Sequence, residues 1–270
     1  MNQQREVARK SVAQVIRWSI FLVGTMLAMS VSFMPQAKAQ SNDADKIPKA
    51  MSDYVASQKT LTFDSDIEVI TPNRQKIQFA CAGRVQLSRP DKLRVARTGG
   101  YTDVEIVFDG KMLTVNNKDH NDFAQVESSG SIDQLIDLLR EKHRITAPGA
   151  DLLLSQAFDV MMADVIDAEH IGQGIIDGVE CEHLAFRNLD TDWQIWIEAG
   201  ARPIPCKYVI TSKSMTGAPQ YTLRIKEWKT ELPADAFAFN PPQGAKKIDL
   251  SGLVDIDEVP QAMMAAGGKK

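Results

Sequence analysis

The sequence is poor in the residues that carry covalent and metal chemistry. Three cysteines and four histidines are spread through 270 residues, and no Cys-x-x-Cys, His-Glu-x-x-His, Gly-x-Ser-x-Gly elbow or phosphate-binding glycine loop occurs. His120 stands in the polar turn "KDHND", His143 ends a helical stretch, where a positive charge would suit the dipole, and His170 and His183 fall on strand-like segments. No two of them are spaced as ligands or as an acid–base couple. "NKDHND" and "LDTD" are rich in oxygen atoms but match no calcium-loop spacing. Metal sites, cofactors and catalytic residues are therefore not expected, and the chain reads as a protein that is not an enzyme.

Long apolar runs are scarce too, with one exception near the start. Arg5, Arg9, Lys10 and Arg17 precede the uncharged run Trp18–Met34, after which Ala37-Lys38-Ala39 leads to Gln40. This is the pattern of a secretory signal cleaved near Ala39/Gln40. No cysteine follows the small residues and no twin arginine precedes the run, so neither lipid attachment nor the twin-arginine route is indicated. The formal charge of the whole chain is −4; losing the five basic residues and one acidic residue of positions 1–39 makes it −8. Nucleic acid and anionic membrane surfaces are disfavoured as partners at that charge. Positions 40–250 suffice for a single domain with its own core, and 251–270, ending "DEVPQAMMAAGGKK", read as a flexible tail.

What the chain does have is alternation. In "VEIVFDGKMLTVNN", residues 104–117, apolar side chains recur at every second position on both sides of Asp109-Gly110, the mark of a hairpin. "LTFDSDIEVI" and "KIQFACAGRVQL" form a longer hairpin, the second strand carrying Ile77, Phe79, Cys81, Gly83, Val85 and Leu87 on one face, so that Cys81 reads as a buried hydrophobe. "DFAQV" adds another strand, and "GVECEHLAFRN", "DWQIWIEAG", "CKYVITSK" and "QYTLRIKEW" follow at short intervals, as in an antiparallel meander. Trp193 and Trp196 are separated by an odd number and belong on opposite faces. If the strands of Cys181 and Cys206 both pair with the strand between them, their backbones stand about 10 Å apart, beyond the roughly 7 Å that a disulfide spans.

Helical periodicity is confined to three places. "KIPKAMSDYVA" places Ile47, Ala50, Met51, Tyr54 and Val55 on a stripe, with Pro48 expected in the first turn. "SIDQLIDLLREKHR" opens with a capping box of Ser131 and Gln134 and buries Ile132, Leu135, Ile136 and Leu139. "PGADLLLSQAFDVMMADVI" is helical in short pieces. Nine or ten strands with one helical insertion and a leading helix predict an α+β, mostly β fold: a strongly curved antiparallel sheet, incompletely closed, with short helices at its mouth.

Three stretches, "LSRPDKLRV", "IVFDGKMLTVNN" and "FAFNPPQGAKKIDL", resemble in order and spacing the segments that mark the periplasmic lipoprotein carrier (the Lol carrier) and its relatives. Over residues 45–250 the chain looks like a member of the exported DUF2092 proteins, usually grouped with that carrier. The resemblance implies a periplasmic open half-barrel whose concave face is closed by short helices over acyl chains. It also implies that Arg89, in the matching Arg-Pro step, latches the helical lid to the barrel. The Trp-Tyr signature usual after the carrier's Asp-Gly turn is replaced here by Leu113 and Val115, and "DWQIWIEAGARPIP" is not typical of the carrier.

The function expected is a non-enzymatic, monomeric periplasmic binding or carrier protein for an acyl chain, lipid or lipidated protein. The alternative is an interaction module that recognises an envelope protein with a barrel filled by its own side chains. Ile106, Phe108, Leu113 and Val115 from the sheet, and Leu135, Leu139, Phe158 and Met162 from the helices, are the expected lining of the ligand cavity.

Overall fold

The computed structural model describes residues 37–72, 76–99, 101–143 and 145–256. Residues 1–36 of the stretch 1–39 read from sequence as a signal, and the tail from position 257, lie outside the described residues.

The first element, α1 (Ala37–Ser57), is longer than the apolar stripe predicts. It begins nine residues before Lys46, so Pro48 falls inside the helix and not in its first turn, and Ala50 is exposed. Ala44, Met51 and Val55 are the buried face.

Strands β1 (Thr60–Pro72), β2 (Lys76–Ser88), β3 (Lys92–Gly99), β4 (Val104–Phe108), β5 (Met112–Asn117) and β6 (Asp122–Glu127) follow as an antiparallel meander. The Asp109-Gly110 turn forms as expected: Gly110 has φ +94°, and the Asp109 carboxylate accepts from the Lys111 and Met112 amides at 2.9 and 2.8 Å. A helical layer comes next: α2 (Ile132–Glu141), a 3-10 turn (Ala150–Leu153) and α3 (Ala157–Met162). The capping box is present in full, with Gln134 N–H donating to Ser131 Oγ and Ser131 N–H to Gln134 Oε1. The second meander is β7 (Asp167–Ile176), β8 (Val179–Arg187), β9 (Thr191–Glu198), β10 (Pro205–Ser212) and β11 (Gln220–Lys229), and a two-residue strand, β12 (Lys246–Lys247), ends the series.

Among the described residues the twelve strands form one curved sheet that does not close, in the order β12-β6-β5-β4-β3-β2-β1-β11-β10-β9-β8-β7. The two meanders are joined where β1 pairs with β11, Ile67 opposite Leu223. Two strands exceed the nine or ten expected. β7 begins well before Ile175, its alternation masked by Gly172 and Gly174 and by a bulge between His170 and Gly172; β12 is too short to show any period. The helical layer packs on the concave face: Leu61, Leu87, Phe108 and Leu113 of the sheet share one core with Met51, Ile132, Leu135 and Leu153. Trp193 is buried against Phe186 at 3.8 Å, while Trp196 lies on the convex side, stacked on His183 at 4.0 Å. Among the described residues, no helix is long and apolar enough to cross a membrane.

The chain after β11 takes an indirect path. Arg94 points to the convex side, where its guanidinium pairs with Glu105 and donates to the Ala236 and Ala238 carbonyls at 3.2 Å, and Phe239 packs on Phe123. The signature "FAFNPPQGAKKIDL" therefore crosses the outer surface. It then pairs parallel to β6 through β12, turns through a 3-10 segment (Leu250–Gly252) and passes round that edge to the concave side. Packed structure thus reaches Ile256, six residues into the segment read from sequence as flexible tail.

Candidate functional site

A cavity of about 140 Å³ lies between the concave face of β1–β4 and the helical layer. Its origin is a pair of small residues side by side in the sheet. Ser65 on β1 stands directly opposite Gly83 on β2, and Gly83 opposite Arg97 on β3, which in turn faces Val104 on β4. A Cβ at Gly83 would meet Ser65 Oγ at 2.4 Å, so a larger residue there would require the hydroxyl beside it to move. Above this row sit Ile136 and Leu139 of α2 and the stretch Ile145–Ala150, itself made mostly of small residues. The space is apolar where the helices cover it and polar at one end.

At that polar end Arg97 is only 8% exposed. Its Nε donates to the Thr102 carbonyl and its Nη2 to the Ile256 carbonyl, both at 3.2 Å. Asn117, fully buried, donates through Nδ2 to the Val254 carbonyl at 2.9 Å, and Tyr101 Oη donates to Asp255 at 2.6 Å. Ile256 itself lines the cavity. A hydrophobic hollow with a guanidinium at one end is shaped for a molecule with an apolar body and a polar head; nothing in its lining resembles an acid–base or nucleophilic pair.

Of the eight residues expected to line a cavity, Ile106 and Leu139 do so. Phe108, Leu113, Val115 and Leu135 are at most 1% exposed within the core. Phe158 and Met162 are half-buried, Met162 packed on the core, and neither is in the lining. The sheet strands are correctly placed, but the open space lies toward the β1–β3 side of the expected position. The one sequence signal for this was Gly83 in an otherwise apolar inward row, since an interior strand glycine marks close approach or missing bulk.

Arg89 lies at the β2–β3 bend, its amide donating to the Lys59 carbonyl at 2.8 Å and its bond to Pro90 cis. Its Nε and Nη2 are buried without hydrogen-bond partners among the described residues. Burial lowers the guanidinium pKa, and the charge of Asp133 on α2 acts in the opposite direction. Asp133 itself accepts from the amide and the hydroxyl of Ser155. The hydrogen bond that ties this bend to the helical layer is made by the next residue: Ile132 N–H donates to the Pro90 carbonyl at 2.9 Å.

Among the described residues no cluster of histidine, cysteine, aspartate and glutamate could hold a metal ion. His143 lies just past α2, where burial first and Lys142 second push its pKa down, so the dipole does not win there. Cys81 is half-buried, less so than its neighbours predict. Among the described residues no disulfide forms, yet Cys181 and Cys206 are buried and lie near each other across β9, because Cys206 is the extra residue of a bulge opposite Trp196 and Ile197. Burial raises both thiol pKa values.

A sequence profile for the family described as "Predicted periplasmic protein (DUF2092)" matches residues 44–251. No curated protein matches the sequence. Among solved structures the chain is similar to an uncharacterized conserved protein from Thermus thermophilus, at 12% identity over 77% of this chain and 99% of that one, with a TM-score of 0.45. It is similar to the lipoprotein LppX of Mycobacterium tuberculosis at 12% identity, 72% and 99% coverage and a TM-score of 0.46. A LolA-superfamily protein from Nitrosomonas europaea aligns at 12% identity, 73% and 97% coverage and a TM-score of 0.37.

Proposed function

We propose, for a chain that belongs to the DUF2092 family of predicted periplasmic proteins, that it is a non-enzymatic periplasmic binding or carrier protein for a molecule with an acyl chain or a similar apolar body. One observation carries this reading: a chain long enough to pack its interior shut leaves about 140 Å³ open between sheet and helices. That is close to the engineered cavity of about 150 Å³ that takes up benzene. Each methylene moved from water into such a space contributes about 0.8 kcal/mol, so affinity needs no polar motif. The size fits one thin chain entering in part, with Arg97 near its head. Organic extracts of protein purified from periplasm, analysed by mass spectrometry, should contain an amphiphile. Absence of any lipid, together with no uptake of a fluorescent fatty acid, would refute the reading.

A second reading, an envelope interaction module, is favoured by the other end of the sheet. Among the described residues β7 is a terminal strand with one edge not paired to another strand, and Ile171 and Ile175 on it are 49% and 71% exposed. An exposed strand edge of this kind can pair with an extended segment of a partner. Replacing both isoleucines by lysine should abolish a stoichiometric periplasmic complex under this reading and leave lipid content unchanged.

A further inference from the structure

We propose that the C-terminal strap, residues 253–256, is the gate of the cavity, and that exchange of its contents proceeds by the strap lifting while the helical layer stays in place. The inference rests on the cavity being the ligand site proposed above. Two features of the attachment support it.

The first is position. The strap arrives from the convex face round the β6 edge and covers the polar end of the cavity, with Ile256 forming part of the wall. The second is the way it is held. Arg97, Tyr101 and Asn117, from β3, the following turn and β5, each bond to it through a side chain. Among the described residues, no backbone hydrogen bond joins 253–256 to the sheet. Its apolar anchorage is Leu253, 8% exposed, and the half-buried Ile256.

The helical layer is held in a different way. Pro90 ties the start of α2 to the sheet through the backbone, and within the layer Asp133 grips Ser155 and Arg140 bonds Asp151 and the Thr146 and Ala147 carbonyls. Ile132, Leu135, Ile136 and Leu139 are buried beneath it. A segment with few buried contacts and only side-chain tethers opens at lower cost than one with both kinds of anchor.

The test reports on access to the cavity and requires no ligand. In a Cys81→Ser background, Val95→Cys places a thiol in the cavity wall, and its modification by a small methanethiosulfonate reagent is followed by peptide mass. Tyr101→Phe and Ile256→Ser should each raise the labelling rate about tenfold, the effect of one lost tether on an opening equilibrium. Arg140→Ala, which loosens the helical layer, should leave the rate within about twofold. Acceleration by Arg140→Ala with no change in the two strap variants would overturn the gate, as would equal rates throughout. If the strap variants accelerate labelling while the wild type takes up no fatty acid, the ligand reading fails and the strap still controls access. Tyr101→Phe removes one hydroxyl and keeps the ring, so it is the informative variant should Ile256→Ser not fold.

Discussion

Filling the cavity should strengthen the fold and remove the function, and the size of the first effect follows from the structure. Val95 lies in the cavity wall opposite Val85 and Ile106. Empty volume in a core costs about 24 cal/mol per Å³, so 140 Å³ represents about 3 kcal/mol of stability forgone. Val95→Phe would occupy only part of the space, and a gain of about 1 kcal/mol is expected, or about 2–4 °C in Tm for a chain of this size. Urea and thermal unfolding of the two proteins measure the gain, and titration with a fluorescent polyene fatty acid measures binding, which should be lost. A loss of stability of about 1–3 kcal/mol, the usual cost of overpacking, would mean that the space is not there. Unchanged fatty-acid affinity in a stabilised variant would mean that it is not the binding site.

Three further outcomes test the architecture around the cavity. Ser131→Ala removes half of the capping box at the start of α2 and should cost about 1 kcal/mol in urea unfolding; no change would show that Pro90 alone fixes this helix. Native protein treated with iodoacetamide at pH 8 should be modified at Cys81 well before Cys181 and Cys206, whose burial disfavours the thiolate; early labelling of Cys206 would contradict the packing around β9. The folded-state pKa of His143 lies below its unfolded value near 6.5, so its contribution to stability is complete above that value and is lost as pH falls from there through the folded-state pKa. The drop in Tm between pH 7.5 and 5.5 should accordingly be smaller in His143→Gln than in wild type, and an equal drop would refute this.

Local features were the legible part of the fold. The Asp109-Gly110 turn, the Ser131–Gln134 box and the opposite faces of Trp193 and Trp196 each depend on residues within a few positions of one another, and all three form as the sequence predicts. The cavity was legible as a class but not as a place. Ile106 and Phe108 alternate identically along β4, and only the register of β2 and β3 decides that one borders a hollow while the other is sealed in. The strap was hidden for a related reason. "LVDI" is too short to show a period of its own, and the groups that hold it are polar residues of β3, β5 and the turn at Tyr101, about 140–160 positions earlier in the chain. β7 was obscured by its glycines, which interrupt the alternation at the bulge.

The joint between β1 and β11 has a consequence for how this molecule comes into being. Ile67 is matched to Leu223, 156 positions further along, so the two meanders cannot be welded until nearly the entire polypeptide is available. Pairings of such long separation form slowly, and a nascent chain halted before Gln220 would carry β1 as a raw, sticky border. Full-length delivery, more than the stability of either half, sets when this protein first becomes whole.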